Sequence, residues 1–136
     1  MQKSILLIDD DIDELKIFTD AIKEVPGDFK CIFVNDTQEA LQMLRTFIPD
    51  YIFVDFNIPK VNGLDFLSAV KKTDILREVP VFLYSTSISK EMNKMAELLG
   101  AAGSLEKTFS IAMLASELKI LLTEGTSPNY VLLNGK

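Results

Sequence analysis

The chain has 136 residues, 48% of them hydrophobic, and a formal net charge of −6. This length and apolar content fit one folded domain, and the negative charge argues against nucleic acid as a partner because phosphate contacts need a basic surface. The absence of histidine excludes histidine-based triads and zinc sites. No apolar run reaches the about 20 residues of a membrane span, and no signal peptide precedes the first strand. We therefore expect a cytoplasmic protein with no membrane partner.

In chain order, strand-like apolar runs alternate with helical patterns. The first run, residues 5–8, precedes a helix that Asp11 is expected to cap, with Glu14 at the capping-box position. A strand at 30–35 leads to a helix that Thr37 is expected to cap, and a third strand follows at 51–55. Proline and glycine then separate the remaining elements.

The second half of the chain repeats the same alternation. A helix begins at Gly63, Pro80 opens the fourth strand, and Gly100 closes the next helix. The fifth strand is expected at 103–106 and the last helix at 109–123. This (βα)₅ order predicts an α/β fold, a doubly wound parallel sheet with right-handed crossovers and helices on both faces.

Chemically useful residues follow four of the predicted strands. Asp9 and Asp10 come after the first strand, and Asp55 ends the third. Ser85 ends the fourth strand, and Lys107 follows the fifth. Because ligands bind beyond the carboxyl ends of the strands in an open parallel sheet, these side chains should converge on one edge. Three carboxylates, a hydroxyl and an ammonium suit a divalent cation and a phosphoryl group.

These residues resemble the receiver domain of bacterial response regulators. The resemblance covers about residues 3–123 and rests on Asp9-Asp10, on the segment 55–63, on Ser85-Thr86 and on Lys107-Thr108-Phe109. It implies a flavodoxin-like sheet with strand order 2-1-3-4-5. It also implies a stand-alone, chemotaxis-type regulator, with the receiver at 1–124 and a short tail at 125–136 that is no output domain.

The resemblance gives each of these residues a role. In the flavodoxin-like order, Asp9, Asp10 and Asp55 crowd one edge, where Mg²⁺ would offset their repulsion. Asp10 and Asp55 are expected as direct ligands, Asp9 directly or through water, and the family adds the backbone carbonyl of Asn57. Asp55 is the expected phosphoacceptor. Its phosphoryl group is expected to come from a sensor histidine kinase or phosphotransfer protein, and phosphorylation is expected to switch binding to a downstream protein.

On the other side of the expected site, Lys107 pairs with a phosphoryl oxygen and Ser85 supplies the switch hydroxyl. Three positions depart from the family. Ser85 stands where threonine is commoner, Ser104 stands where an aromatic residue is frequent, and Thr108 stands where proline usually follows a cis bond. Without proline the trans peptide is favoured, so we expect Lys107–Thr108 to be trans, in a locally rerouted loop.

Two other functions fit parts of this pattern. One is a Mg²⁺-dependent hydrolase that forms an aspartyl-phosphate. Such enzymes usually have a second acid two residues after the nucleophile, where this chain has Asn57. The chain also offers no substrate-binding cap domain. The other is a docking module that needs no phosphate. A switch without enzymatic turnover remains the leading interpretation.

The last helix carries apolar residues on both sides. Met113 and Ile120 fall opposite its expected buried face, where a monomer usually has polar groups. The tail is also apolar at residues 129–133. We therefore expect Met113 and Ile120 to be covered by the tail, by a partner or by a second subunit, which would be a homodimer through the last helix or the tail.

Overall fold

The computed structural model describes residues 1–58, 61–123 and 131–133. The described strands are β1 (Lys3–Ile8), β2 (Phe29–Val34), β3 (Tyr51–Val54), β4 (Val81–Ser85), β5 (Gly103–Glu106) and β6 (Val131–Leu133). The described helices are α1 (Ile12–Ile22), α2 (Thr37–Met43), α3 (Gly63–Lys71), α4 (Lys90–Leu98) and α5 (Ile111–Thr123). Among the described residues, no helix is long and apolar enough to cross a bilayer.

All strands are parallel, in the order β2-β1-β3-β4-β5-β6. The predicted order 2-1-3-4-5 is therefore confirmed, and with it the flavodoxin-like fold. The sixth strand was not predicted. Val131 pairs with Gly103 and Leu133 with Leu105, so part of the expected tail extends the sheet. An edge strand offers unpaired backbone groups, which explains why a short apolar segment can add to β5.

The sheet separates two apolar cores because successive strand side chains point to opposite faces. Leu6 and Ile8 of β1 face the core under α2, α3 and α4. Ile5 and Leu7 face the other core, under α1 and α5. Burial on both faces holds the strand ends in fixed register, and these ends carry the polar residues.

The two predicted N-caps have different outcomes. The Asp11 side chain accepts from the Asp13 amide, which confirms that cap. Thr37 does not cap α2, because the Asp36 side chain accepts from the Glu39 amide at 2.7 Å instead. The Thr37 hydroxyl is buried and donates to the carbonyl of Val61 at 2.7 Å. Sequence reasoning took the wrong one of two neighbouring capping residues.

The outer face of α5 stays open in the described chain. Met113 is 47% exposed and Ile120 43%, and Phe109, before the helix, is 98% exposed. The prediction that the tail covers this face is wrong for its described part, because residues 131–133 pair with β5. Residues 124–130 and 134–136 lie outside the described residues. Cover by a second subunit or a partner stays a prediction.

Candidate aspartate pocket

Strand order places the predicted site residues at one edge. Ile8 of β1 pairs with Val54 of β3, so Asp9 and Asp55 continue from neighbouring strands. The Asp55 amide donates to the carbonyl of Ile8 at 3.0 Å, which extends the pairing up to the pocket. On the other side of β3, the Lys107 amide donates to the carbonyl of Ser85 at 2.8 Å. Backbone pairing thus positions the side chains on both sides of Asp55.

The three predicted acids meet in this pocket. Carboxylate oxygens of Asp9, Asp10 and Asp55 all lie within 4.8 Å of one another. Asp9 is fully buried and Asp55 is 6% exposed, whereas Asp10 is open to solvent. Burial raises the pKa of Asp9, and the neighbouring Asp55 charge raises it further, against the opposing effect of Lys107. An all-oxygen set of this size and charge fits a hard divalent cation such as Mg²⁺.

Three donors converge on the Asp55 carboxylate. The Ser85 hydroxyl donates to Oδ1 at 2.9 Å, and the Asn57 amide donates to the same oxygen at 3.2 Å. The Lys107 ammonium donates to Oδ2 at 2.8 Å. Both oxygens are therefore held in place, and the polar groups around Asp55 are ones that can also bind phosphoryl oxygens.

Lys107 bridges two of the acids. Its Nζ lies 2.7 Å from Asp9 Oδ2 and 2.8 Å from Asp55 Oδ2, with 12% of the side chain exposed. Burial alone would lower the pKa of Lys107, but the bonds to Asp55 and Asp9 outweigh it and raise the pKa. The lysine is therefore a permanent cation here, and it offsets part of the carboxylate repulsion.

The departure at Thr108 leaves Lys107 in the pocket. No cis peptide occurs in the described part of the chain, so the Lys107–Thr108 bond is trans, as predicted. The Thr108 hydroxyl accepts from the Ser110 amide at 3.2 Å, which begins the turn into α5. A trans bond before a non-proline residue is the low-energy form, and the loop reaches Asp55 with it.

Gly63 allows the chain to pass close to the acceptor strand. A Cβ at this position would lie 2.5 Å from the Asp55 carbonyl oxygen and 2.9 Å from the Phe56 Cα. The Gly63 amide donates to the Phe56 carbonyl at 3.0 Å. Any side chain here would push α3 away from the pocket, so the glycine serves close approach between backbones.

Sequence reasoning missed two polar residues beside the pocket. The Glu14 side chain does not simply complete a capping box, because the Asp11 amide donates to Asp9 Oδ1 at 3.0 Å. Glu14 is 7% exposed and accepts from the Tyr84 hydroxyl at 3.4 Å. Burial raises the pKa of Glu14. Its spacing of four residues from the core residue Phe18 was the available signal for an inward-facing position.

Comparison with known proteins decides the family. The family model described as the response regulator receiver domain matches residues 5–119. The chain belongs to the response regulator receiver family. The chain is 29% identical over 122 residues to the polar-differentiation response regulator DivK of Brucella anthropi, which covers 90% of this chain and 98% of that protein.

Solved structures agree with the receiver fold. The phosphorylated cyanobacterial phytochrome response regulator RcpA aligns with a TM-score of 0.83 and 25% identity, over 95% of this chain and all of that one. The chemotaxis response regulator CheY4 of Vibrio cholerae aligns with a TM-score of 0.77 and 24% identity, over 88% of this chain and 98% of that one, and shows the fold. This chain is thus a receiver domain of a two-component response regulator.

Proposed function

We propose that this receiver accepts one phosphoryl group on Asp55 and that phosphorylation changes its binding to a downstream protein. The convergence of Ser85, Lys107 and the Asn57 amide on the Asp55 carboxylate carries the proposal. In the proposed step a carboxylate oxygen of Asp55 attacks phosphorus, and the bond from phosphorus to the donor breaks with its electron pair leaving on the donor. The product is an acyl phosphate.

Asp55, Lys107 and Ser85 have different roles in this step. Asp55 is held by its donors before the reaction, so that little reorganisation is needed when phosphorus approaches. Lys107 is close enough to exchange part of its contact with Asp55 for a phosphoryl oxygen. The Ser85 hydroxyl is buried beside Asp55 and would move to donate to the phosphoryl oxygens. Because Ser85 is the last residue of β4, this movement would change the loop between β4 and α4.

The acids also support a Mg²⁺ site. We assign Asp10 and Asp55 as direct ligands, Asp9 as a direct or water-mediated one, and the Asn57 carbonyl as a backbone ligand. The acid cluster fits this cation because its oxygens lie within 4.8 Å of one another and two of its three residues are buried. When bound, Mg²⁺ would supply positive charge for the oxygens of the transferring phosphoryl group.

The donors and targets belong to the proposal as well. Receivers of this family interact with histidine kinases or phosphotransfer proteins and with downstream targets. We propose one of these two phosphodonors for this chain, acting in the cytoplasm where the kinase uses ATP. We also propose a switch without turnover of small phosphomonoesters, since Asn57 takes the place of the second acid that such hydrolases use.

The test is the intact mass of the protein after incubation with acetyl phosphate and Mg²⁺. We expect one added phosphoryl group on the wild type and on Asp65→Asn, a control with the same charge change at an exposed position of α3. Asp55→Asn should gain none. Equal labelling of Asp55→Asn would refute the acceptor assignment, and steady release of phosphate from a phosphomonoester would favour the hydrolase.

A further inference from the structure

A buried acid of α1 lines the same small cavity as Lys107. Glu14 of α1, with Asp11, Thr86, Lys107, Thr108 and Phe109, lines a cavity of about 180 Å³. Glu14 is 7% exposed, which is unusual for a carboxylate outside the ligand set. The hydrogen bond that the structure gives it is a long one, 3.4 Å, from the Tyr84 hydroxyl.

Tyr84 connects this acid to the lysine. Its side chain is fully buried in β4, directly before Ser85, and its hydroxyl donates to Glu14. The Lys107 Nζ lies 5.6 Å from the centre of the same ring. The ammonium therefore has two sets of acidic neighbours: Asp9 and Asp55, which it contacts directly, and Glu14, which lines the same small cavity and is hydrogen-bonded to Tyr84.

Lys107 and a divalent cation compete for the same carboxylates. In this structure the ammonium engages Oδ2 of both Asp9 and Asp55. A cation held by those residues would add positive charge beside the ammonium, and like charges at such distances repel strongly. The lysine must then weaken its contact with Asp9, which is easier if another negative charge faces it.

We propose that Glu14, held by Tyr84, is a positioning residue that offers Lys107 this second acidic partner and so lets Mg²⁺ share the aspartates. The positive charge of Lys107 favours the ionised form of Glu14, whereas the negative charges of Asp9 and Asp11 disfavour it. The inference rests on the Mg²⁺ site of the proposed function and adds to it a residue that touches neither the cation nor the phosphoryl group.

The test is the Mg²⁺ affinity of the unphosphorylated protein, measured by calorimetry with Mg²⁺ alone. Glu14→Gln keeps the shape and the acceptor for Tyr84 but removes the charge, and we expect it to weaken Mg²⁺ binding roughly 5-fold. The control Asp13→Asn removes the same charge one residue earlier on α1, at an exposed position, and should change the affinity less than about 2-fold.

A double-mutant cycle separates positioning from general electrostatics. In a Lys107→Ala background, Glu14→Gln should alter Mg²⁺ affinity less than about 2-fold, because the lysine that Glu14 serves is gone. Tyr84→Phe should weaken binding in the same direction as Glu14→Gln. An undiminished effect of Glu14→Gln without Lys107, or equal effects of Glu14→Gln and Asp13→Asn, would overturn the proposal.

Failure of the positioning role of Glu14 can be told apart from failure of Asp55 as the phosphoacceptor. With saturating Mg²⁺, Glu14→Gln should still take up one phosphoryl group from acetyl phosphate, because Asp55 and its donors are unchanged. A wild type that binds Mg²⁺ but takes up no phosphoryl group would refute the acceptor and leave the positioning role standing. A wild type that binds no Mg²⁺ at this pocket would refute both.

Discussion

The two halves of the pocket differ in charge and in how they are built. The half at β1 and β3 is acidic, since carboxylate oxygens of Asp9, Asp10 and Asp55 lie within 4.8 Å of one another. The half at β4 and β5 brings the Ser85 hydroxyl and the Lys107 ammonium against the same acceptor. Without a cation, the three carboxylates would repel one another. In the metal-free protein it is therefore the Lys107 ammonium and the Ser85 hydroxyl that stabilise them. Phosphoryl transfer needs both, because the acids attract a cation and the lysine and hydroxyl receive the anion.

The largest effect should come from removing the basic half. Lys107→Ala leaves Asp9 and Asp55 without their shared cation, and breaking a buried ion pair of this kind costs about 3 kcal/mol in the free energy of unfolding. Denaturant unfolding in metal-free buffer measures this. Mg²⁺ should then stabilise Lys107→Ala more than the wild type, because no ammonium competes for the acids. Equal stabilisation of both proteins would contradict the competition.

Removing one acid should affect the cation before the fold. Asp10 is exposed, so Asp10→Ala should leave the protein folded and weaken Mg²⁺ binding about 10-fold or more, as loss of a ligand does. Calorimetric titration with Mg²⁺ checks it, with exposed Asp13→Asn as the matched control. Unchanged affinity in Asp10→Ala would mean that the acids share no cation site.

The sequence predicted the acidic half more fully than the second half. Asp9, Asp10 and Asp55 end apolar strands of unmistakable pattern, and strand order alone brings them together. The strand pattern also placed Lys107 at this edge, but its contacts with Asp9 and Asp55 depend on a loop that departs from the family at Thr108. Glu14 was taken for a capping residue. The four-residue spacing from Phe18 indicates that Glu14 faces inward, but its hydrogen bond from Tyr84, 70 residues later in the chain, is a contact that no local pattern shows.

A smaller change should sharpen the contribution of the hydroxyl. Ser85→Ala removes one of three donors to Asp55 and leaves Lys107 and the Asn57 amide in place. We expect a cost of about 1 kcal/mol in unfolding free energy and slower uptake from acetyl phosphate, with the final extent unchanged. The time course of the intact mass measures the rate. Complete loss of uptake would show that the hydroxyl has a larger role than one hydrogen bond.

The smallest effect concerns pH. Because burial raises the pKa of Glu14 in the folded protein, the folded state binds more protons than the unfolded state above pH 4.5. The free energy of unfolding of the wild type should therefore fall, relative to Glu14→Gln, as the pH rises from 4.5 through the raised pKa, by less than about 1.4 kcal/mol per pH unit. Denaturant unfolding of both proteins in metal-free buffer tests this. A difference that is constant with pH would contradict the raised pKa.

Mapping of the modified residue tests the central claim most directly. Borohydride reduces an aspartyl phosphate to homoserine, which peptide mass spectrometry locates in the chain. After treatment with acetyl phosphate and Mg²⁺, the account predicts homoserine at position 55 alone, in the wild type and in Asp65→Asn. Homoserine at position 9 or 10, or none in a protein that binds Mg²⁺, would contradict it.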